Sequence, residues 1–227
     1  MTDRHSTLRA QRRVETQRAI QAHAVRLFTE HGYDATTVND VADAAGVSSM
    51  TVYRHFPTKE HLVLLDQHGR FIAERIGASP AGQSPVGRIG GALIDWAGTV
   101  TGSSRGPGLT TEAQFLLALL RLMIVTPALR AKYLDNHYAL QKAIVGALTD
   151  DGTDPETVFH TEVVASASLA AMHTALVRWT EEDGRTELSD LIAKALAAAF
   201  GDDGTGGAEV KARRFRGSGA GRHQRSG

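Results

Sequence analysis

Two short helices, each with its own start and stop signal, lie between Thr37 and Lys59, and this stretch constrains the chain more tightly than any other. Thr37 followed three residues later by Asp40 has the form of a capping box, and Val38, Val41, Ala42 and Ala45 fall on one helical face. Gly46 suits the left-handed backbone that ends a helix, and Ser48 then offers an N-cap to a second helix running to about His55. Pro57 closes the segment. A connection of roughly 3–4 residues is the length used by a helix-turn-helix.

In the second helix Val47, Val52 and Phe56 face inward, leaving Ser49, Met50, Thr51, Tyr53, Arg54 and His55 outward. That outer face holds hydroxyls, an aromatic with a polar tip, an Arg and a His, and no acid. Arg and hydroxyl groups bond base edges and phosphates, whereas carboxylates are repelled by the nucleic-acid backbone. Geometry alone leaves two readings open, a recognition helix and an ordinary helical hairpin with a polar face.

The run Val47, Ser48, Thr51, Val52, Tyr53, Arg54, His55, Phe56, Pro57, Thr58, Lys59, Glu60 and Leu62 resembles the signature of the tetracycline-repressor (TetR) family of bacterial transcription regulators. The likeness extends upstream through Phe28, Gly32, Tyr33, Thr36, Thr37, Val38, Val41, Ala42, Ala45 and Gly46. It departs at Met50, where many relatives carry Gly or a polar residue. The resemblance implies an all-α fold of about nine helices, with an N-terminal helix-turn-helix three-helix DNA-binding domain and a larger helical ligand-binding and dimerisation domain. It also implies a homodimer reading double-stranded DNA at a palindromic operator, most often as a repressor. The DNA-contacting candidates are Thr37, Ser48, Ser49, Met50, Thr51, Tyr53, Arg54, His55 and Lys59.

Composition sets bounds on these expectations. The chain has 227 residues, 42% of them hydrophobic, enough for a substantial core split between a small and a larger domain. With no apolar segment long enough to span a bilayer and no cysteine, a soluble, cytoplasmic, nucleoid-associated protein is expected. Net charge is zero, yet Arg4, Arg9, Arg12, Arg13 and Arg18 crowd the N-terminal end, while acids such as Asp150, Asp151, Asp154 and Glu156 mark the middle. A basic end on an acidic body would turn that end toward DNA. HExxH, a phosphate-cradling glycine loop and a nucleophile elbow are all missing from the sequence, so neither an enzyme, a metal nor a cofactor is expected.

Taken in order, residues 1–11 are expected as a mobile basic arm, and Ile20, Ala24, Leu27 and Phe28 recur at helical spacing from Arg12 to His31. Residues 1–57 then form the DNA-binding domain. Thr58 should cap a fourth helix reaching Ala78 through Leu62, Leu65, Ile72 and Ile76, with Lys59 in its first turn as a phosphate contact. In the family pattern an effector would tilt this helix and so change the spacing of the two reading heads. Residues 58–200 form the effector-binding and dimerisation domain, its helices starting at Ser84-Pro85, Thr126-Pro127 and Asp154-Pro155, and at Thr186. From Gly201 to Gly227 a Gly-rich basic tail has too few apolar residues to fold.

The helix after Asp154 is apolar on more than one side, through Val158, Phe159, Val163, Val164, Leu169, Met172, Leu176 and Val177. A helix apolar on two sides needs two coverings. By the resemblance, the last two helices pack on their two-fold mates. The helices before them carry apolar stripes suited to a cavity for a small, largely apolar effector, with Trp96, Phe115, Met123, His137 and His173 as lining candidates. His173, flanked at helical spacing by Leu169 and Leu176, reads first as a core histidine. Residues Leu119 to Leu196 are loosely similar to a subgroup that includes mycofactocin-system regulators with acyl-CoA-like effectors. The alternative function is a helical small-molecule-binding or scaffold module without specific DNA binding.

Overall fold

The computed structural model describes residues 2–64, 66–102 and 108–201. Among these residues nine α-helices follow in order: α1 Thr2–His31, α2 Val38–Ala44, α3 Ser49–His55, α4 Asp66–Gly77, α5 Pro85–Thr101, α6 Thr111–Val125, α7 Pro127–Leu148, α8 Pro155–Glu181 and α9 Leu188–Phe200. There is no strand among the described residues. The expected tail lies outside the described residues apart from Gly201, as do Leu65 and residues 103–107.

Local signals explain most of the boundaries. Thr37 caps α2 by accepting the Asp40 N–H, while the Asp40 carboxylate takes the Thr37 N–H at 2.7 Å, a reciprocal capping box. Gly46, at φ +65°, makes the reversal between α2 and α3, where a side chain would strain the left-handed backbone. Ser48 accepts the Thr51 N–H at 3.1 Å, and Ser84 and Asp154 cap α5 and α8 ahead of their prolines.

Three elements differ from expectation. Helix α1 begins at Thr2, so the backbone over the expected arm is helical. The expected helix from Thr58 to Ala78 is two pieces, a 3-10 turn at Glu60–Val63 and then α4, with extended backbone at Leu64 between them. Thr58 caps neither; its hydroxyl is taken by Glu60 and His61 on the 3-10 turn. Thr186 likewise does not cap α9, because its hydroxyl donates back to Glu182 at the end of α8 and leaves Glu187 at the cap position.

Two compact units divide the chain, residues 1–67 with 104–138 and residues 68–103 with 139–227. In the first, Ile20, Ala24, Leu27 and Phe28 of α1 pack with Val41, Val52, Phe56 and Leu62, and α6 adds Leu119, Leu122 and Met123 to the same core. The ring of Phe28 meets Tyr33 edge-on at 5.0 Å. In the second, α5, α8 and α9 pack together around Ile89, Leu93, Trp96, Leu169, Trp179, Ile192 and Leu196. Arg88 ties α4 to α5, its guanidinium donating to the Ile76 carbonyl and to Ser79 Oγ.

Candidate nucleic-acid interface

Val52 is fully buried and Phe56 nearly so, which fixes the rotation of α3 and sends its other side to solvent. Met50 is 76% and Tyr53 48% exposed; Arg54 is exposed, and Ser49, Thr51 and His55 are half-buried. A thioether and a phenol this exposed on one short helix cost hydration that a solvent-facing polar residue would not. Not every hydroxyl is free to reach out: Ser48 Oγ and Thr51 Oγ1 lie 3.0 Å apart, and Ser49 Oγ donates to Asn39 Oδ1 at 2.6 Å.

Beside α3 the first helix supplies charge that motif reading passed over. Arg12, Arg13 and Thr16 of α1 join Val47, Thr51, Arg54 and His55 around a cleft of about 620 Å³. Among the described residues no acid lines it, and none of these three guanidinium groups has a carboxylate at ion-pair distance. His55 Nδ1 is buried there without a partner among the described residues. Burial, reinforced by Arg13 and Arg54, holds the His55 imidazole below its ordinary pKa. Like charges held together without a counter-ion favour an incoming anion. The Arg-rich start of the sequence was the signal, but only the phase of α1 shows that Arg12 and Arg13 reach α3.

Two candidates are held inside the unit. Thr37 is exposed, yet its hydroxyl is committed to Asp40. Lys59 is half-buried, its ammonium donating to the Tyr33 carbonyl and standing 4.2 Å from the Tyr33 ring centroid. The helical first turn expected at Lys59 is instead the start of the 3-10 turn at Glu60–Val63, so Lys59 does not stand at an α-helix N-terminus. Glu60 completes this cluster, accepting from Thr58 and from the Tyr33 hydroxyl at 2.9 Å; these bonds, the Thr58 one foremost, lower its pKa.

The effector candidates are spread between the two units. Met123 is buried and Phe115 half-buried in the core of the first unit, where His137 stands 6.1 Å from the Tyr133 ring. Trp96 is buried in the second unit. His173 is exposed, against the expectation of a core histidine, in an open cleft of about 540 Å³ with Thr174, Val177, Arg178, Glu181 and Glu182. The buried stripe of α8 is centred on Met172, and the next residue is turned about 100° from it.

Residues 20–65 match the family "Bacterial regulatory proteins, tetR family", and residues 109–200 match the "MftR C-terminal domain". The chain belongs to the TetR family. A TetR-family chain is a DNA-binding transcriptional regulator and not an enzyme. Members bind operator DNA, and a dimer and a small-molecule effector are typical of them. Over 200 residues this regulator is 27% identical to the HTH-type transcriptional regulator TcmR of Streptomyces glaucescens, covering 85% of this chain and 83% of TcmR. It is 55% identical to the transcriptional repressor KstR2 of Rhodococcus jostii over 40 residues, 18% of this chain and 20% of that one. The crystal structure of native NalD from Pseudomonas aeruginosa shares the fold, at TM-score 0.51 and 19% identity over 82% of this chain and 96% of that one.

Both family matches fall on described elements: the first spans α1 from Ile20 through the 3-10 turn, the second α6 through α9. Among the described residues no single helix is long and apolar enough to cross a membrane; α6 and α7 reach that composition only as a pair bent by 108°.

Proposed function

We propose that this TetR-family regulator is a repressor that binds a palindromic operator as a homodimer and responds to a small, largely apolar effector. The observation that carries this reading is the acid-free outer face of α3 with the Arg12, Arg13 and Arg54 cleft beside it. Met50, Tyr53 and Arg54 meet base edges and the groove wall. His55, Arg12 and Arg13 take backbone phosphates, while Thr37 caps α2 and Ser48, paired with Thr51, caps α3. Phosphate contacts position and base contacts specify, so the cleft supplies affinity and α3 supplies sequence preference.

Pairing through α8 and α9 is supported by what α8 leaves uncovered in one chain. Its inner side is buried against α5 and α9, yet Phe159 is 59% and Val163 49% exposed on the other. Exposed Ala198 and Ala199 on α9 permit close approach of a second helix. Two-fold symmetry would then set two copies of α3 roughly one DNA turn apart on inverted half-sites.

The test is selection of a binding sequence from a random DNA library, followed by anisotropy titration and sedimentation. A palindrome bound by two chains, at least 100-fold tighter than scrambled DNA on the scale of specific recognition, is the expected result. Equal affinity for both, or one chain per site, refutes the proposal.

A further inference from the structure

Ser49 opens α3 and Asn39 stands in the first turn of α2, and the hydrogen bond between their side chains joins the two helices on their exposed side. A serine hydroxyl carries one hydrogen, and here it is donated to Asn39 Oδ1 at 2.6 Å. What Ser49 shows outward is therefore lone pairs alone. Asn39 has its carbonyl oxygen drawn toward α3, which turns its NH₂ and both hydrogens away from Ser49, and the residue is exposed. The neighbouring acid does not compete, because the Asp40 carboxylate is 2.7 Å from both the backbone N and the Oγ1 of Thr37. An asparagine with both ends free offers a donor and an acceptor side by side, the pattern that matches adenine. Pinned in this way, with one oxygen lone pair taken and the carbonyl drawn toward α3, the group it turns outward is the NH₂ donor.

We propose that Asn39 is a sequence-reading residue of this regulator, donating from Nδ2 to an acceptor on a base edge in the major groove, such as guanine O6 or N7 or thymine O4. Ser49 is a positioning residue that reads no base itself and fixes which way the amide points. Because the tie runs to the outer side of α3, the amide extends that face and gives α2 a share in specificity. The inference rests on the operator-binding reading above.

The test compares base preferences, not affinity alone. Every base pair of the operator selected by the wild-type chain is substituted in turn, and binding is measured for wild type, Asn39→Ala, Asn39→Asp, Ser49→Ala and Ser49→Thr. Asn39→Ala should flatten the preference at one base pair per half-site by about 5- to 100-fold, the range of a base contact. Ser49→Ala should relax the same base pair by a smaller factor, and Ser49→Thr, which keeps the hydroxyl, should restore it. Asn39→Asp, with acceptors in place of donors, should move the preference toward a base presenting an amino group.

An equal loss on all sequences with Asn39→Ala would mean a phosphate contact and overturns the assignment. Relaxation of different base pairs by the Asn39 and Ser49 variants overturns the positioning role. Selection of no sequence by the wild-type chain would defeat the operator reading, whereas a selected palindrome indifferent to Asn39 defeats this inference alone.

Discussion

Replacing Arg13 with Ala tests whether the α1 cleft belongs to the DNA interface. Arg13 lines the cleft with Arg12, Arg54 and His55, and it is close enough to depress the His55 pKa, which places its charge beside α3. Each phosphate neutralised by a cation contributes about 0.9 to the slope of log K against log salt. Two copies in a dimer make that about 1.8, so the variant's slope should be shallower by this amount. Between 50 and 200 mM salt, a fourfold change, the wild-type chain should lose about tenfold more affinity than the variant. Anisotropy of a labelled operator across that range measures both. Arg26 is the control, since it lies on the same helix but is paired with Glu30 at 2.9 Å. Arg26→Ala should leave the slope where it was. An Arg13→Ala slope equal to that of wild type would show that the cleft faces away from the phosphates.

The same cleft predicts proton uptake on binding. The free protein holds the His55 pKa below about 6.5, and a phosphate in the cleft would raise it, so affinity should climb as pH falls through the interval between the two values. His55→Gln should flatten a plot of log K against pH; an unchanged slope would refute the contact. Thr37→Ala should cost about 1 kcal/mol through loss of the α2 cap, a melting shift of about 2–4 °C for a chain of this size. Asp40, whose carboxyl the Thr37 hydrogen bonds hold below its usual range, has a depressed folded pKa. Its contribution should be present above pH about 4 and lost as pH falls through the folded value, a loss that shrinks in the Thr37→Ala melting series, where the residue-37 backbone N–H still bonds the carboxylate. Phe159→Asp together with Val163→Asp should weaken dimerisation by at least 100-fold, since burying each half-exposed side chain is worth about 1 kcal/mol and symmetry counts each twice. Sedimentation velocity would show monomers, and a dimer surviving both changes would rule α8 out as the seam.

Much of this architecture was legible because its signals are local. Thr37 with Asp40, Gly46 and Ser48 set the limits of α2 and α3 by hydrogen bonds that span three residues, and proline after a capping residue did the same for α5 and α8. Where a side chain found a partner other than its own helix start, the reading failed. Thr58 and Thr186 look like caps in sequence, but each spends its hydroxyl on a nearby glutamate. Lys59 looks like a surface cation, and its stem instead carries the ammonium back over Tyr33 and Phe28. His173 shows how little separates a core residue from an exposed one, since apolar neighbours at i−4 and i+3 do not say where the buried stripe is centred. Arg12 and Arg13 are legible in sequence only as part of a basic end, and Asn39 not at all, because their importance comes from the element they face.

The division of labour along the chain is also less clean than motif reading suggests. A lever running unbroken from Thr58 to Ala78 would need helical backbone at Leu64, which is extended. Yet α6, part of the segment that matches the MftR C-terminal domain, buries Leu119, Leu122 and Met123 among Ile20, Leu27 and Phe28. Close-packed interiors transmit displacement because they have few voids to absorb it. A shift of α6 by an effector would therefore press on α1, and α1 carries both the core behind α3 and the arginines beside it. Phe115 and Met123, expected from sequence among the residues lining an effector cavity, belong to this core of α1 and α6. Their replacement should alter operator affinity even without effector, because the side chains belong to the packing that sets where α3 points.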